Sequence, residues 1–453
     1  MAAPGVSCRV FFRTLKTLRR NRSALNTVQE FTNRTTNGSS EISLNNDSLI
    51  RRLHSRPSSF QLTCYHKHCD NQHNHDRHHR HQCHIPSRLA TSGSSISFST
   101  KSNAWHLVPS SRTLTTSPLY FSKVTPSSMA DIDPYTLVES DMKDLAPDIC
   151  KVLEIDVPKL EYMTQYYFGR GKAFRPMVCL LMAKVCNNHL NTGEIVLESQ
   201  RNVAMVAEML HTASLVHDDV IDAADERRGL ESLNKKYGQR QSILAGNYIL
   251  SKATMLLAQI GNPQIISILS TVIEDIISGE FMQLGSKEDE NERFQHYLKK
   301  TYKKTASLIA NTCKAVAVMS DVEETLVEAA YEYGRNLGMS FQLVDDVLDF
   351  VASQQAMGKP TDADLKLGLA NAPVLFAAME HKELQPMIMR RFSEEGDVEY
   401  ARAMVEKTDG VKQTMMLATR HSEEAVKTLS KFSSCSAREA LARVSQILLQ
   451  REK

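Results

Sequence analysis

Several absences narrow this sequence before any motif is read. No apolar run in its 453 residues approaches the roughly 20 that a membrane-spanning helix needs, so no transmembrane segment is expected. The strict apolar–polar alternation of half-buried strands is not evident, which argues against a β-sheet core. No Ser/His/Asp or Cys/His constellation stands out, so covalent nucleophilic catalysis is not indicated. Cys150, Cys179, Cys186, Cys313 and Cys435 are scattered, the pattern of reduced core thiols rather than of a disulfide framework. Acidic residues are scarce at the start. Residues 1–130 carry 17 Lys/Arg against 5 Asp/Glu, whereas the remainder is net acidic, so the overall charge of +2 hides two unlike parts.

The basic part is rich in Arg, Ser and Thr, with Arg9, Arg13, Lys16, Arg19 and Arg20 punctuating its first turns. It lacks the apolar stretch of a secretory signal, and reads as a mitochondrial transit peptide delivering the chain to the matrix. Polar segments such as Thr32–Asn46 and Ser92–Ser99 bury too little to fold, so residues 1–130 are expected to form a disordered arm. Within it, Cys64–His84 reads CYHKHCDNQHNHDRHHRHQCH. Such a composition can bind zinc, but the spacings do not resolve into two ligand pairs, and a low-complexity tract is the reading preferred.

From about Asp131 the pattern becomes helical. Apolar periodicity predicts helices over Val178–Cys186 (starting at Pro176), Gln200–Asp222, Ser242–Ile260, Gln264–Leu284, Arg293–Met319 and Val322–Val351. Shorter amphipathic helices follow over Ala370–His381, Val398–Lys407, Val411–Leu429 and Ser436–Gln450. Residues 131–453 are therefore expected to form one all-α domain, a single large helical bundle around a central cavity.

The most informative stretch is LVHDDVIDAADERRG, Leu215–Gly229. Asp218 and Asp222 are four apart and share a helical face, with Asp219 rotated by about 100°. Carboxylates gathered in an apolar helix need a cation, and hard oxygen donors suit Mg²⁺ completed by water and phosphate. Arg227 and Arg228 follow, and guanidinium forks match phosphate oxygens. A second copy, GMSFQLVDDVLDF, places Asp345, Asp346 and Asp349 at the same spacing, with Gln342 three residues before Asp345. Two such clusters in apolar helices point to a metal–diphosphate site.

Four further stretches look chemical. FGRGKAFRP (Phe168–Pro176) puts Lys172 and Arg175 beside a helix start, a ready anion site. Lys303, Lys304 and Thr305 sit at a polar break in a long helix, where Thr305 is expected to bond its own backbone. GKPTDADLK (Gly358–Lys366) supplies Lys359 beyond the second acidic helix. His211 and His217 flank the apolar core.

In this order, FGRGKAFRP, HDDVIDAADERRG, GEFMQL (Gly279–Leu284), KKTA, FQLVDDVLD and GKPTDADLKLG resemble the trans-isoprenyl diphosphate synthases over about Tyr162–Leu375. The resemblance implies the isoprenoid synthase fold, with two aspartate motifs facing each other across the mouth of a deep cavity. It implies that Asp218, Asp219, Asp222, Asp345, Asp346 and Asp349 hold two or three Mg²⁺ ions. Arg227, Lys304, Thr305, Lys359 and Gln342 would steady an allylic diphosphate, and Lys172, Arg175, His211 and Arg228 isopentenyl diphosphate. The product would be a C40–C50 all-trans polyprenyl diphosphate for the ubiquinone side chain. Small Ala213 and Ser214, then Met209 and Leu210, would let the growing chain pass the first turn. A heterotetramer with a divergent second subunit, or a homodimer, is implied, with peripheral membrane contact for product release and no nucleic-acid partner. Asn247 departs from the family's usual Asp, and Asn371 from a commoner Thr or small residue. The rival readings are a short-chain (C15–C20) synthase, a terpene cyclase, which the second full aspartate motif disfavours, and a non-catalytic regulatory subunit.

Overall fold

The computed structural model describes residues 133–285, 290–355 and 363–451. The basic arm, its His/Cys tract and Lys359 lie outside these residues. Short helices α1 (Glu139–Met142), α2 (Leu145–Val152) and α3 (Pro158–Gln165) lead into the bundle. Its first long members are α4 (Phe174–His189) and α5 (Glu198–Ile221). A small antiparallel ribbon, β1 (Glu226–Arg227) and β2 (Leu230–Glu231), and α6 (Leu233–Tyr237) follow. Then come α7 (Gln239–Gln259), α8 (Pro263–Leu284), α9 (Glu290–Thr301), a π-helical turn (Tyr302–Ala306), α10 (Ser307–Met319) and α11 (Glu324–Gln355). The chain continues through α12 (Ala363–Lys366), α13 (Ala372–Glu380), α14 (Leu384–Met389), α15 (Asp397–Lys407), α16 (Gly410–Leu429) and α17 (Ser436–Leu449).

The architecture follows from which helices are apolar all round. Every residue of α4 from Pro176 to Asn187 is buried, as expected of a helix inside a bundle rather than on its surface. It starts two residues before Pro176, after Ala173 in the left-handed region (φ 44°). Helix α5 buries Val203–Leu210, Ala213 and Val216 against α4 and α7. Helix starts are marked locally: Asn262 Oδ1 accepts from Gln264 N (2.9 Å) and Ile265 N (3.3 Å), with Pro263 in the first position. A second apolar cluster, joining α9, the far half of α11, α13, α14, α15 and α16, supports the other side of the site.

Two expectations are corrected. The stretch Arg293–Met319 is not one helix: residues Tyr302–Ala306 form a π turn, which displaces Lys303, Lys304 and Thr305 from the regular helical face. The strand-free expectation misses the ribbon after Asp222. Its connecting residues Arg228 (φ 54°) and Gly229 (φ 72°) are both left-handed, as a tight type I′ hairpin requires. Among the described residues no helix is long and apolar enough to cross a membrane.

Candidate active site

Close packing sets the site. A Cβ on Gly279 of α8 would lie 2.9 Å from Lys304 Cγ and 3.0 Å from Lys303 Cβ, and one on Gly338 of α11 would lie 2.5 Å from Ala306 Cα. Glycine at both positions lets α8 and α11 close on the π turn from two sides. One turn beyond Gly338, Gln342 therefore meets Thr305, and Glu280 and Gln283 meet Lys304.

At the first motif the three aspartates divide. Asp219 is fully buried, with Oδ1 accepting from Arg227 Nε (2.7 Å) and Oδ2 from Tyr167 Oη (3.2 Å). Tyr167 Oη in turn accepts from Leu233 N (3.1 Å). Asp219 thus ties α5 to the ribbon through Arg227 and to the loop before α4 through Tyr167. Asp218 and Asp222 stand on the other side. Burial pushes the Asp218 carboxyl up to about 6, with Glu280 and Asp222 adding to the rise and Lys304 opposing it. Asp222 is likewise raised by burial and by Glu280, and lowered by Lys304.

The second motif repeats the division. Asp346 is 3% exposed and accepts three hydrogen bonds, from Tyr297 Oη (2.5 Å), Gln342 Nε2 (3.0 Å) and Ala372 N (3.1 Å). Burial and the nearby Asp364 push its carboxyl up to about 6. Gln342 therefore serves Asp346, not Asp345 as its spacing suggested. Its Oε1 accepts from Thr305 Oγ1 (2.8 Å), so Thr305 bonds across to α11 instead of to its own backbone. Asp345 is paired with Arg451 near the chain end, whose guanidinium covers the Phe341 ring at 4.7 Å. Asp349 accepts from Ala363 N (3.2 Å) and Asp364 N (3.4 Å), at the start of α12.

Between the motifs lies a cavity of about 190 Å³, lined by Asp222 and Lys304 on one side and by Asp346, Asp364 and Asn371 on the other. Lys304 Nζ is 2.5 Å from Glu280 Oε2 and donates to Gln283 Oε1 (3.1 Å), whereas Lys303 turns away to Asp275 (2.6 Å). Among the described residues no three His, Cys, Asp or Glu side chains converge as a ready-made metal cage. Carboxylates spread over two walls of a small polar cavity fit Mg²⁺, which takes one or two carboxylates and fills its shell with phosphate and water.

A second cationic group lies on α4 and α5. Arg175 Nη1 lies 2.9 Å from His211 Nε2, and Arg175 Nε is buried without a hydrogen-bond partner among the described residues. Burial, with Arg175 second, holds His211 well below the usual histidine value, so Nε2 is the acceptor of this bond. Burial lowers Arg175 itself to about 10, which leaves it cationic at neutral pH. Lys172 is exposed at the loop before α4. Arg228 contacts Tyr167 O (3.0 Å), Arg170 O (2.7 Å) and Glu208 (3.5 Å), docking the ribbon onto that loop.

Other expected residues fall elsewhere. Met209, Leu210 and Ala213 are buried in the main core, and Ser214 Oγ donates to His211 O (2.8 Å). Asn247 is exposed on α7. Asn371 Nδ2 donates to Asp364 Oδ2 (3.0 Å), placing the other departure inside the cavity wall. His217 lies against Gly246 and within 3.4 Å of Ile243 O, a packed core histidine. Tyr167, Tyr297, Glu280, Lys300, Asp364 and Arg451 escaped the sequence reading, because nothing local marks them. Their roles arise from contacts across the bundle.

The fold is that of an all-α enzyme with two aspartate-bearing helices at a polar cavity. The chain belongs to the polyprenyl synthetase family, which it matches over residues 157–405. It is 55% identical over 322 residues to human all-trans-polyprenyl-diphosphate synthase, covering 71% of this chain and 78% of that one. It is 37% identical over 369 residues to the probable mitochondrial hexaprenyl pyrophosphate synthase of Neurospora crassa, covering 71% and 82%. A crystal structure of polyprenyl synthase from Caulobacter crescentus, complexed with calcium and isoprenyl diphosphate, superposes with a TM-score of 0.64 at 29% identity, covering 72% of this chain and all of that one.

Proposed function

We propose that this chain condenses isopentenyl diphosphate units head-to-tail onto an allylic diphosphate, making a long-chain all-trans polyprenyl diphosphate of about C40–C50 for the ubiquinone side chain. It is a prenyltransferase, and the observation that carries the reading is the polar cavity between two aspartate motifs, in a bundle that also holds a paired arginine and histidine. Bound Mg²⁺, two or three ions, would neutralise the diphosphate as the allylic C–O bond breaks. Asp218 and Asp222 on one wall, and Asp345 on the other, are the ligands proposed. Asp219 and Asp346 keep the walls in place.

Lys304 faces the departing diphosphate, positioned by Glu280 and Gln283 so that its charge is fixed before the bond breaks. Arg175 and His211, helped by Lys172, hold isopentenyl diphosphate so that its double bond meets the allylic cation. The proton then lost passes to the released diphosphate. Lys359 is proposed as a further diphosphate contact.

Residues 1–130 are proposed to direct mitochondrial import to the matrix, a reading supported by their basic composition and by the mitochondrial relative. Exposed Ile243, Leu244 and Met255 on α7, with Phe281 and Leu284 on α8, support association with a second subunit, divergent or identical. Incubation of the purified chain, alone and with such a subunit, with farnesyl diphosphate, labelled isopentenyl diphosphate and Mg²⁺ tests the reading. Long prenyl products that vanish with a chelator are expected; C15–C20 products would leave a short-chain synthase, and no turnover in either mixture would leave a non-catalytic subunit.

A further inference from the structure

One cation at the cavity has no role so far. Lys300, on α9 two residues before the π turn, borders the cavity together with Asp346, Asp364 and Lys304. Its ammonium stands 5.3 Å from the centroid of the Tyr297 ring, and among the described residues no hydrogen bond or ion pair holds it. The carboxylate next to it is already served: Asp346 takes Tyr297, Gln342 and Ala372 N. Asp364 Oδ2 takes Asn371. Lys304 is the opposite case, since Glu280 and Gln283 occupy its ammonium.

An ammonium is strongly hydrated and has three donors to place. One confined at a cavity wall, with an aromatic face as its main contact, is under-coordinated until an anion arrives. The sequence run HYLKKTYKKT hides this, because four lysines in six residues read as a solvated basic face. The π turn breaks that face. Lys303 goes to Asp275, Lys304 to the wall of the first motif, and Lys300 to the wall of the second.

We propose that Lys300 is an additional diphosphate-binding lysine, which takes the allylic diphosphate on the side of Asp346 while Lys304 takes it on the side of Asp222. When the allylic C–O bond breaks, its electron pair passes to the diphosphate oxygen. Lys300 and Lys304 then stabilise that charge from opposite walls. Isopentenyl diphosphate, held at Arg175 and His211, is outside the reach assigned to Lys300. This inference rests on the prenyltransferase reading.

The test uses the full chain and inorganic pyrophosphate with Mg²⁺, measured by titration calorimetry, alongside KM and kcat for both substrates. A hydrogen bond to a charged group contributes enough for about a ten-fold change. Lys300→Met, which keeps the stem over Tyr297, is therefore expected to weaken pyrophosphate binding and raise KM for farnesyl diphosphate, each about ten-fold. KM for isopentenyl diphosphate should stay within about two-fold, and Lys300→Arg should recover most of the loss. Pyrophosphate affinity and allylic KM within two-fold of wild type in Lys300→Met would overturn the proposal. So would equal rises in both KM values, or loss of the thermal transition, since either would assign Lys300 to the fold. A wild-type chain that neither binds pyrophosphate nor turns over would sink the prenyltransferase reading first; an active wild type with an indifferent Lys300→Met sinks only the role of Lys300.

Discussion

Neighbouring aspartates of one motif are expected to respond to substitution with opposite effects on stability. Asp219 is fully buried and its partner Arg227 is 31% exposed. Asp219→Ala leaves Arg227 and the Tyr167 hydroxyl without their acceptor. Removing one member of a buried pair costs about 3–5 kcal/mol, and the partial exposure of Arg227 brings this to about 2–3 kcal/mol. Asp218 is in the reverse situation. Its carboxyl is pushed up to about 6 from 3.8, so in the metal-free protein its charge is disfavoured by as much as about 3 kcal/mol at neutral pH. The folded value lies above the unfolded one, so the penalty is full above pH 6 and fades as pH falls toward 4. Halved for residual solvent contact, its removal in Asp218→Asn stabilises by about 1–2 kcal/mol. At roughly 2 °C per kcal/mol for a domain of this size, chelated Asp219→Ala melts about 5 °C below wild type and Asp218→Asn about 2–4 °C above it. Adding Mg²⁺ and pyrophosphate should raise the Tm of wild type and not that of Asp218→Asn. Both variants should lose about a thousand-fold or more in kcat, for different reasons. Differential scanning calorimetry decides the matter: Tm shifts of the same sign and size would refute the division of labour between the two carboxylates.

Three other outcomes follow from the same geometry. Arg451→Ala frees Asp345, so the Mg²⁺ concentration for half-maximal rate should fall several-fold; an unchanged Mg²⁺ dependence would show that the pair does not compete with metal. His421 is buried beside Asn336 Oδ1 (2.8 Å), and burial, with Arg335 and Arg420, lowers it to about 4, so stability is full above pH 6.5 and falls by about 3 kcal/mol toward pH 4. His421→Gln should flatten that acid limb in urea titrations across the same range. Ala213, five residues before Asp218 and fully buried, is expected as Ala213→Phe to shorten the product ladder at a cost of about 1–3 kcal/mol; an unchanged ladder in chromatography would place the growing chain on another face.

The long helices were readable because long apolar segments with a 3.6-residue period leave little alternative, whereas short ones such as α1–α3, α6, α12 and α14 were not. The π turn was not, because Lys303, Lys304 and Thr305 look locally like any polar interruption, and the turn is imposed by Gly279 and Gly338 closing from two other helices. At the site, the one–two–five spacing of the aspartates told which carboxylates share a face. It did not tell which is tied down. That depends on Tyr167, 52 residues before Asp219, and on Tyr297, 49 residues before Asp346. Arg227 and Arg228 were legible as a basic pair, but the left-handed turn at Arg228 and Gly229 sends one to a carboxylate and the other to backbone carbonyls.

The account stands on metal and diphosphate meeting between the two aspartate walls. The direct measurement is a crystal structure of the chain with Mn²⁺ in place of Mg²⁺ and inorganic pyrophosphate, read by anomalous scattering. Anomalous peaks are expected within bonding distance of Asp218 and Asp222 and of Asp345 released from Arg451, with pyrophosphate oxygens on Lys304 and with Asp219 still bound to Arg227. Metal bound outside the cavity, or pyrophosphate seated away from both aspartate walls, would contradict it.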